Sequence, residues 1–347
     1  MQKKVIVGMS GGVDSTLSVH ILKNQGYGIA GVNCLFCPDK STLLDVCDAE
    51  NAAKKADVPF HIFDLRKEFS ENVIGNFIST YECGGTPNPC IVCNKHLKFG
   101  AMLDKALEMG FDYIATGHYA QIEFDEGTGR YLLKKGLDEK KDQSYFLYTL
   151  SQHQLAHTLF PLGNMTKDKV RQMAEELNLI NAKKRDSQDI CFIPDGNYAG
   201  YIEKALDKTY PKGNFISTDG SVLGEHQGII HYTVGQRKGL GIALGKPAFV
   251  KSINPEDNTV TLCDNEELFS CEVTAKNINL ISVDSIPGPM RIKAKIRYRH
   301  EAQWATVTQP DKDTLHIIFD EPQRAVTKGQ AVVLYDGDTV VGGGEIQ

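Results

Sequence analysis

Gly8-Met9-Ser10-Gly11-Gly12-Val13-Asp14-Ser15 follows a compact apolar run and opens a helical pattern. Adjacent glycines let a backbone turn tightly and aim several N–H groups at one anion. A helix start adds unpaired donors and the positive end of its dipole, and Ser10 and Ser15 add hydroxyls. The string reads as a phosphate loop. It lacks the Lys-Ser/Thr ending of the Walker loop and the spacing of a dinucleotide fingerprint. Sulfur supplies a second set. Nine cysteines, an odd number, fit a reducing compartment better than a disulfide framework. Cys90 and Cys93 form a C-x-x-C pair in what reads as a loop before a helix, beside Lys95. That setting is expected to lower the thiol pKa of Cys93. Cys191, between Ile190 and Phe192, reads locally as a buried and inert cysteine. A third set is basic. Arg291, Lys293, Lys295, Arg297 and Arg299 alternate with other residues, which on one strand puts five cations on one face. Such a face can track a phosphate backbone or simply meet solvent.

These residues need elements to hold them. Residues 3–9, 28–34, 59–64 and 112–116 read as buried strands, and 15–24, 42–56, 66–80 and 95–108 as helices. Strands alternating with helices imply a parallel α/β sheet covered on both faces, with ligands beyond the carboxyl ends of the strands. Residues 121–124 and 130–134 read as a hairpin, and 166–177 and 198–206 as helices. From about Pro211 onward short alternating runs separated by turn residues take over, near 248–253, 259–262, 291–298, 314–319 and 331–335. That half is all-β in character, with boundaries near residue 200 and between 270 and 285. The 347 residues suit two or three domains, and 41% apolar with 24% charged residues suits a folded chain rather than a disordered one. There is no apolar run of about 20 residues to span a membrane. The start, MQKKVIVGMSGG, is too short in its apolar part for a signal peptide, so a cytoplasmic location is expected. A net charge of −6 argues against a blanket nucleic-acid coat but allows a local basic surface.

The run Ser10 to Ser15, SGGVDS, resembles the pyrophosphate loop of the ATP-pyrophosphatase (adenine nucleotide alpha-hydrolase-like) enzymes. Those enzymes cleave ATP to AMP and pyrophosphate and activate an oxygen by adenylylation. Further segments narrow the resemblance: TPNPCIVCNK from Thr86, ATGHY from Ala115, KDQSYFL from Lys141, DSQDICFI from Asp186, GQRKGLG from Gly235 and the Gly342-Gly343-Gly344 run. Together they resemble the bacterial tRNA-specific 2-thiouridylases over nearly the whole chain. The resemblance implies a Rossmann-like catalytic domain over residues 1–200, a small β-rich domain over 201–275 and a C-terminal β-barrel touching tRNA over 276–347. It implies 2-thiolation of the wobble uridine. ATP would adenylylate the C2 oxygen, Cys191 would carry sulfur as a persulfide, and Cys93 would release it and end in a disulfide with Cys191. By the same resemblance Gly8, Met9, Ser10, Gly11, Gly12, Val13, Asp14, Ser15, Cys34 and Gly117 would bind the nucleotide. Asn88, Pro89 and Cys90 would line the target-base pocket. Lys141, Asp142, Gln143, Arg297 and Tyr298 would contact the tRNA, and His118 and Gln330 would help select it. The anticodon loop of tRNA is the expected partner, with a cysteine desulfurase or relay protein as sulfur donor. Mg2+ would accompany ATP, with Asp14 a candidate ligand.

One departure matters. Many family members carry Asp where this chain has Cys90. Cys90, Cys93 and Cys191 are then three thiols that could hold a [4Fe–4S] cluster with one iron open. Zinc, with His118 as a fourth ligand, is a rival, and C-x-x-C also suits a redox pair. The persulfide and cluster routes both stay open on the sequence. Cys37, Cys47, Cys83, Cys263 and Cys271 read as structural or incidental. Lys183-Lys184-Arg185, Lys140-Lys141 and Arg237-Lys238 are further basic sites. Two other functions are compatible with parts of the pattern: an amidating ATP-pyrophosphatase, which would need no cysteines, and a non-catalytic metal-binding RNA adaptor.

Overall fold

The computed structural model describes residues 2–37, 40–179 and 190–347. Strand β1 (Lys4–Gly8) carries Val5, Ile6 and Val7 fully buried, as the middle of a two-faced sheet requires. With β2 (Gly28–Leu35), β3 (Phe60–Asp64), β4 (Tyr113–Ala115), a hairpin of β5 (Ala120–Asp125) and β6 (Arg130–Lys135), and β7 (Thr158–Leu159), it completes the strands of the first half. The sheet runs β3-β2-β1-β4-β7, every pairing parallel. Strand order reverses between β1 and β4, which opens a crevice at their carboxyl ends. Helices α1 (Val13–Asn24) and α2 (Lys40–Lys55) follow β1 and β2.

Two longer helical stretches, 66–82 and 89–108, each contain a π-helical turn, Phe69–Ile74 and Asn94–Ala101. The second stretch starts earlier than the sequence reading, at Pro89 rather than Lys95. Asn88 caps it, its side chain accepting the Ile91 N–H at 3.4 Å, and Pro89 fills the first turn, where a missing N–H costs nothing. Cys90 and Cys93 are therefore helical, not in a loop.

The second half holds two sheets. β8 (Gly213–Ile216), β9 (Val222–His226), β10 (Phe249–Asn254) and β11 (Thr259–Cys263) form one, in the order β10-β11-β8-β9. β12 (Phe269–Leu280), β13 (Met290–Lys295), β14 (Gln303–Asp311), β15 (Thr314–Arg324), β16 (Ala331–Asp336) and β17 (Thr339–Ile346) form the other. Pairing of β12 with β17 closes these six strands into a barrel. Alternate residues such as Ile292, Ala294, Val307, Leu315 and Phe319 fill its interior. The β5–β6 hairpin, read correctly as a hairpin, belongs to this sheet: Lys134 and Leu133 of β6 pair with Thr339 and Val340 of β17. One apolar core runs through all the parts, with Phe77 and Tyr145, Phe215 and Val250, and Tyr335 and Val340 in a single cluster.

The basic stripe does not survive as one face. β13 ends at Lys295. Arg291 and Lys293 are exposed on the outer face with Trp304, their side chains 5.3 and 5.6 Å from its ring, and Arg291 forms a two-pronged pair with Asp320. Arg297, past the strand end, turns inward and donates to the Ala325 carbonyl at 3.0 Å and Thr327 Oγ1 at 2.6 Å. The alternation continues in sequence beyond the point where the strand stops. Among the described residues no helix is long and apolar enough to cross a membrane.

Candidate active site

The phosphate loop leaves β1 at the crevice. Met9 N–H donates to the Val32 carbonyl at 2.7 Å, and Asn33 Nδ2 donates to the Met9 carbonyl at 2.8 Å, so β2 fixes the loop's entry. Gly11 adopts φ of +71°, the left-handed turn that glycine takes without strain. Ser15 Oγ accepts the Ser10 N–H at 3.3 Å and donates to the Gly12 carbonyl at 3.1 Å, closing the loop on the start of α1. Asp14, in the first turn, puts a negative charge where an anion should sit. Lys167, nearly fully buried, answers it with contacts of 2.7 and 2.8 Å, and Tyr119 donates its hydroxyl at 2.9 Å. Nothing in the sequence singled out Lys167, and Tyr119 stood only at the end of the ATGHY segment with no role of its own. Gly117, after β4, lies against this turn: a Cβ there would stand 2.9 Å from Asp14 Cβ.

The thiols gather at the same sheet edge. Cys34 lies at the carboxyl end of β2, and burial, then the neighbouring Cys93, pushes its thiol up to about 12. Cys93 is buried, and desolvation pushes it likewise up to about 12. The expected lowering fails because Lys95 is exposed and the thiol lies within the helix, away from a free helix start. Cys191, Cys90 and Cys37 all bear electrostatically on Cys93, so stretches a hundred residues apart meet here. Cys191 is exposed, not buried; Phe192 takes the inward place, its ring 5.4 Å from both Phe69 and Phe77. Phe36 stacks on the same Phe69 at 5.4 Å. Cys37, read as incidental, thus belongs to the cluster. Partial desolvation, then Cys90, raises the Cys191 thiol, and burial raises that of Cys90. The cation common to the group is Lys98, which favours the thiolate at Cys34, Cys90, Cys93 and Cys191. A 3.6-residue period places Lys98 away from Cys93; the π-helical turn brings residue i+5 round.

Among the described residues no group of three or more His, Cys, Asp or Glu could hold a metal ion. Cys90, Cys93 and Cys191 therefore do not form a single-ion site such as zinc, with or without His118. His118 is buried between Phe99 and Phe160, its Nδ1 2.7 Å from Thr116 Oγ1, and desolvation holds its pKa well below the usual imidazole value.

The residues expected to meet tRNA occupy varied settings. Gln330 donates to the Thr86 and Pro87 carbonyls at 2.9 and 3.2 Å, tying the barrel to the segment that caps the cysteine helix. Asp142 is buried and accepts from Gly136 and Ser144. Gln143 accepts the Tyr119 N–H at 3.0 Å, and Lys141 is half-buried. Tyr298 lies half-buried with its ring 4.4 Å from Phe146. Lys183, Lys184, Arg185 and residues 186–189 lie outside the described residues.

Residues 3–195 match the family model described as the tRNA methyl transferase HUP domain. Residues 199–264 match its PRC-barrel domain, and 270–346 an aminomethyltransferase beta-barrel domain. The chain is 51% identical over 356 residues to the tRNA-specific 2-thiouridylase MnmA of Clostridioides difficile (strain 630), covering 100% of this chain and 99% of the relative. It is 50% identical over 357 residues to the protein of the same name from Acetivibrio thermocellus, with the same coverage. Among solved structures, the U34-tRNA thiolase NcsA from Methanococcus maripaludis with its [4Fe-4S] cluster is 16% identical, with a TM-score of 0.38, over 59% of this chain and 67% of that one. The full-length identity to the curated relatives decides the matter: the chain belongs to the tRNA-specific 2-thiouridylase family.

Proposed function

We propose that this enzyme 2-thiolates the wobble uridine of tRNA, spending ATP as AMP and pyrophosphate. The observation that carries the reading is the meeting of Cys93 and Cys191 at the sheet edge that also bears the phosphate loop. Uridine C2=O has no leaving group, so its oxygen would attack the α-phosphorus of ATP, expelling pyrophosphate. The terminal sulfur of a Cys191 persulfide would then add at C2, and AMP would leave. Attack of the Cys93 thiolate on Cys191 Sγ would break the S–S bond, leave the sulfur on the base and close a Cys93–Cys191 disulfide. A thiol reductant would reopen that disulfide, and a cysteine desulfurase or relay protein would recharge Cys191. Mg2+ would come with the nucleotide. The anticodon loop is the substrate region, since a single-stranded base can be splayed into a pocket. The persulfide route is taken here because it needs only two thiols, those of Cys93 and Cys191, which bear on one another at this site.

The test is nucleoside mass analysis of tRNA incubated with the protein, ATP, Mg2+, a cysteine desulfurase with cysteine as persulfide donor, and a thiol reductant. Appearance of 2-thiouridine with matching AMP is expected. AMP without thiolation would point instead to an amidating enzyme, and neither product to an RNA adaptor. Anaerobic purification with iron and sulfide assay decides the route: stoichiometric iron in the active protein would overturn the persulfide scheme.

A further inference from the structure

Burial poses a problem for sulfur chemistry at this site. Thiolates and persulfide anions are the reactive forms, and removal from water disfavours every anion. A desolvated anion needs a fixed opposite charge. Lys95, beside the C-x-x-C pair in sequence, is exposed. Lys98 is half-buried, five residues after Cys93 and eight after Cys90, on the π-helical turn Asn94–Ala101. Hydrogen bonding from i to i+5 brings that residue back over Cys93. Among the described residues its ammonium makes no hydrogen bond and no ion pair. A half-buried lysine with no carboxylate partner among the described residues can serve an anion that arrives during the reaction.

We propose that Lys98 is the positioning cation of the thiol site, its ammonium placed to balance the persulfide anion on Cys191 and the thiolate of Cys93 that attacks it. This deepens the reading above and rests on it. The groups around the ammonium come from several elements: Cys34 from the end of β2, Cys90 and Cys93 from its own helix, Cys191 from the segment before Phe192, and His118 from beyond β4. His118 is held neutral, so it supplies no competing positive charge. Among the described residues no carboxylate joins these neighbours, and the sulfur anions are the negative charges they offer.

The experiment compares the full-length protein with Lys98→Met, Lys98→Gln and Lys98→Arg. Alkylation by iodoacetamide is followed at each cysteine by peptide mass analysis from pH 6 to 10, and tRNA thiolation and ATP affinity are measured beside it. Lys98→Met and Lys98→Gln should slow alkylation of Cys191 and Cys93 about tenfold at fixed pH, the change that one pH unit of thiol acidity produces. Lys98→Arg should restore most of the rate, and ATP affinity should hold throughout. Unchanged alkylation in both neutral variants, or failure of Lys98→Arg to rescue, would overturn the proposal. The alkylation profile needs neither tRNA nor sulfur donor. Should the wild-type protein fail to thiolate tRNA, the functional reading falls while the role of Lys98 is still decided.

Discussion

The phosphate loop and the thiol cluster share one sheet edge and are built in opposite ways. In the loop, groups that could disturb an incoming phosphate are already settled. Asn33 and Val32 fix its entry, Ser15 closes its turn, and Lys167 neutralises Asp14. In the cluster the groups are settled in their unreactive form. Burial keeps Cys34 and Cys93 as thiols, with acidity pushed to about 12. On the proposed reading, the nucleotide half is ready before its ligand arrives, whereas the sulfur half withholds its nucleophile. The thiolate is also the form that oxidants attack, so the same desolvation that would slow the proposed chemistry protects these cysteines from oxidation.

That contrast can be broken most directly by separating the halves. Cys191→Ser or Cys93→Ser should cut thiolation by about a thousandfold, while ATP affinity stays within about twofold. An equal loss of ATP binding would mean that the halves are one site. The next largest effect concerns stability. Asp14→Asn leaves the buried Lys167 ammonium without its carboxylate and should cost about 3 kcal/mol, read as a lower midpoint in urea unfolding. A midpoint unchanged from the wild type would show that the loop is not pre-neutralised by this pair. A third check uses pH. Because the Cys93 acidity lies at about 12, the reactive fraction is small at neutrality and grows about tenfold per pH unit. Single-turnover thiolation should rise steadily from pH 7 to 9 while ATP affinity stays flat; a plateau near pH 7 would contradict the burial argument. The smallest effect is expected at Gln330. Gln330→Ala removes two hydrogen bonds to the cap of the cysteine helix and should cost about 1–2 kcal/mol, with thiolation falling more than ATP binding.

Much of this was legible in the sequence, because the signals were local. An unbroken β-branched run gave β1, the glycine pair gave the loop after it, and alternation with turn residues gave the second half. What was not legible depended on tertiary partners. The loop that became a helix turned on Asn88 and Pro89, which cap the helix and fill its first turn ahead of the apolar pattern. The acidity of Cys93 was misjudged in sign because burial outweighs every nearby cation: Lys95 points to solvent, and Lys98, brought round by a π turn that no apolar periodicity announces, offsets only part of the desolvation. Lys167 sits 153 residues from the aspartate it neutralises, and no pattern links them. The cation stripe failed for a simpler reason. Alternation marks a strand's faces but not its end, and β13 stops at Lys295.

The placement of the β5–β6 hairpin bears on how this protein can be taken apart. Its second strand, β6, is stitched through Leu133 and Lys134 to β17, the last strand of the chain. A fragment ending near residue 200 would carry β6 with a bare row of backbone donors and acceptors, and a solitary barrel would bare β17 in the same way. Exposed edges of this kind recruit other chains. Dissection of the protein for crystallography or for pull-down assays should therefore keep both ends, or risk studying aggregates instead of domains.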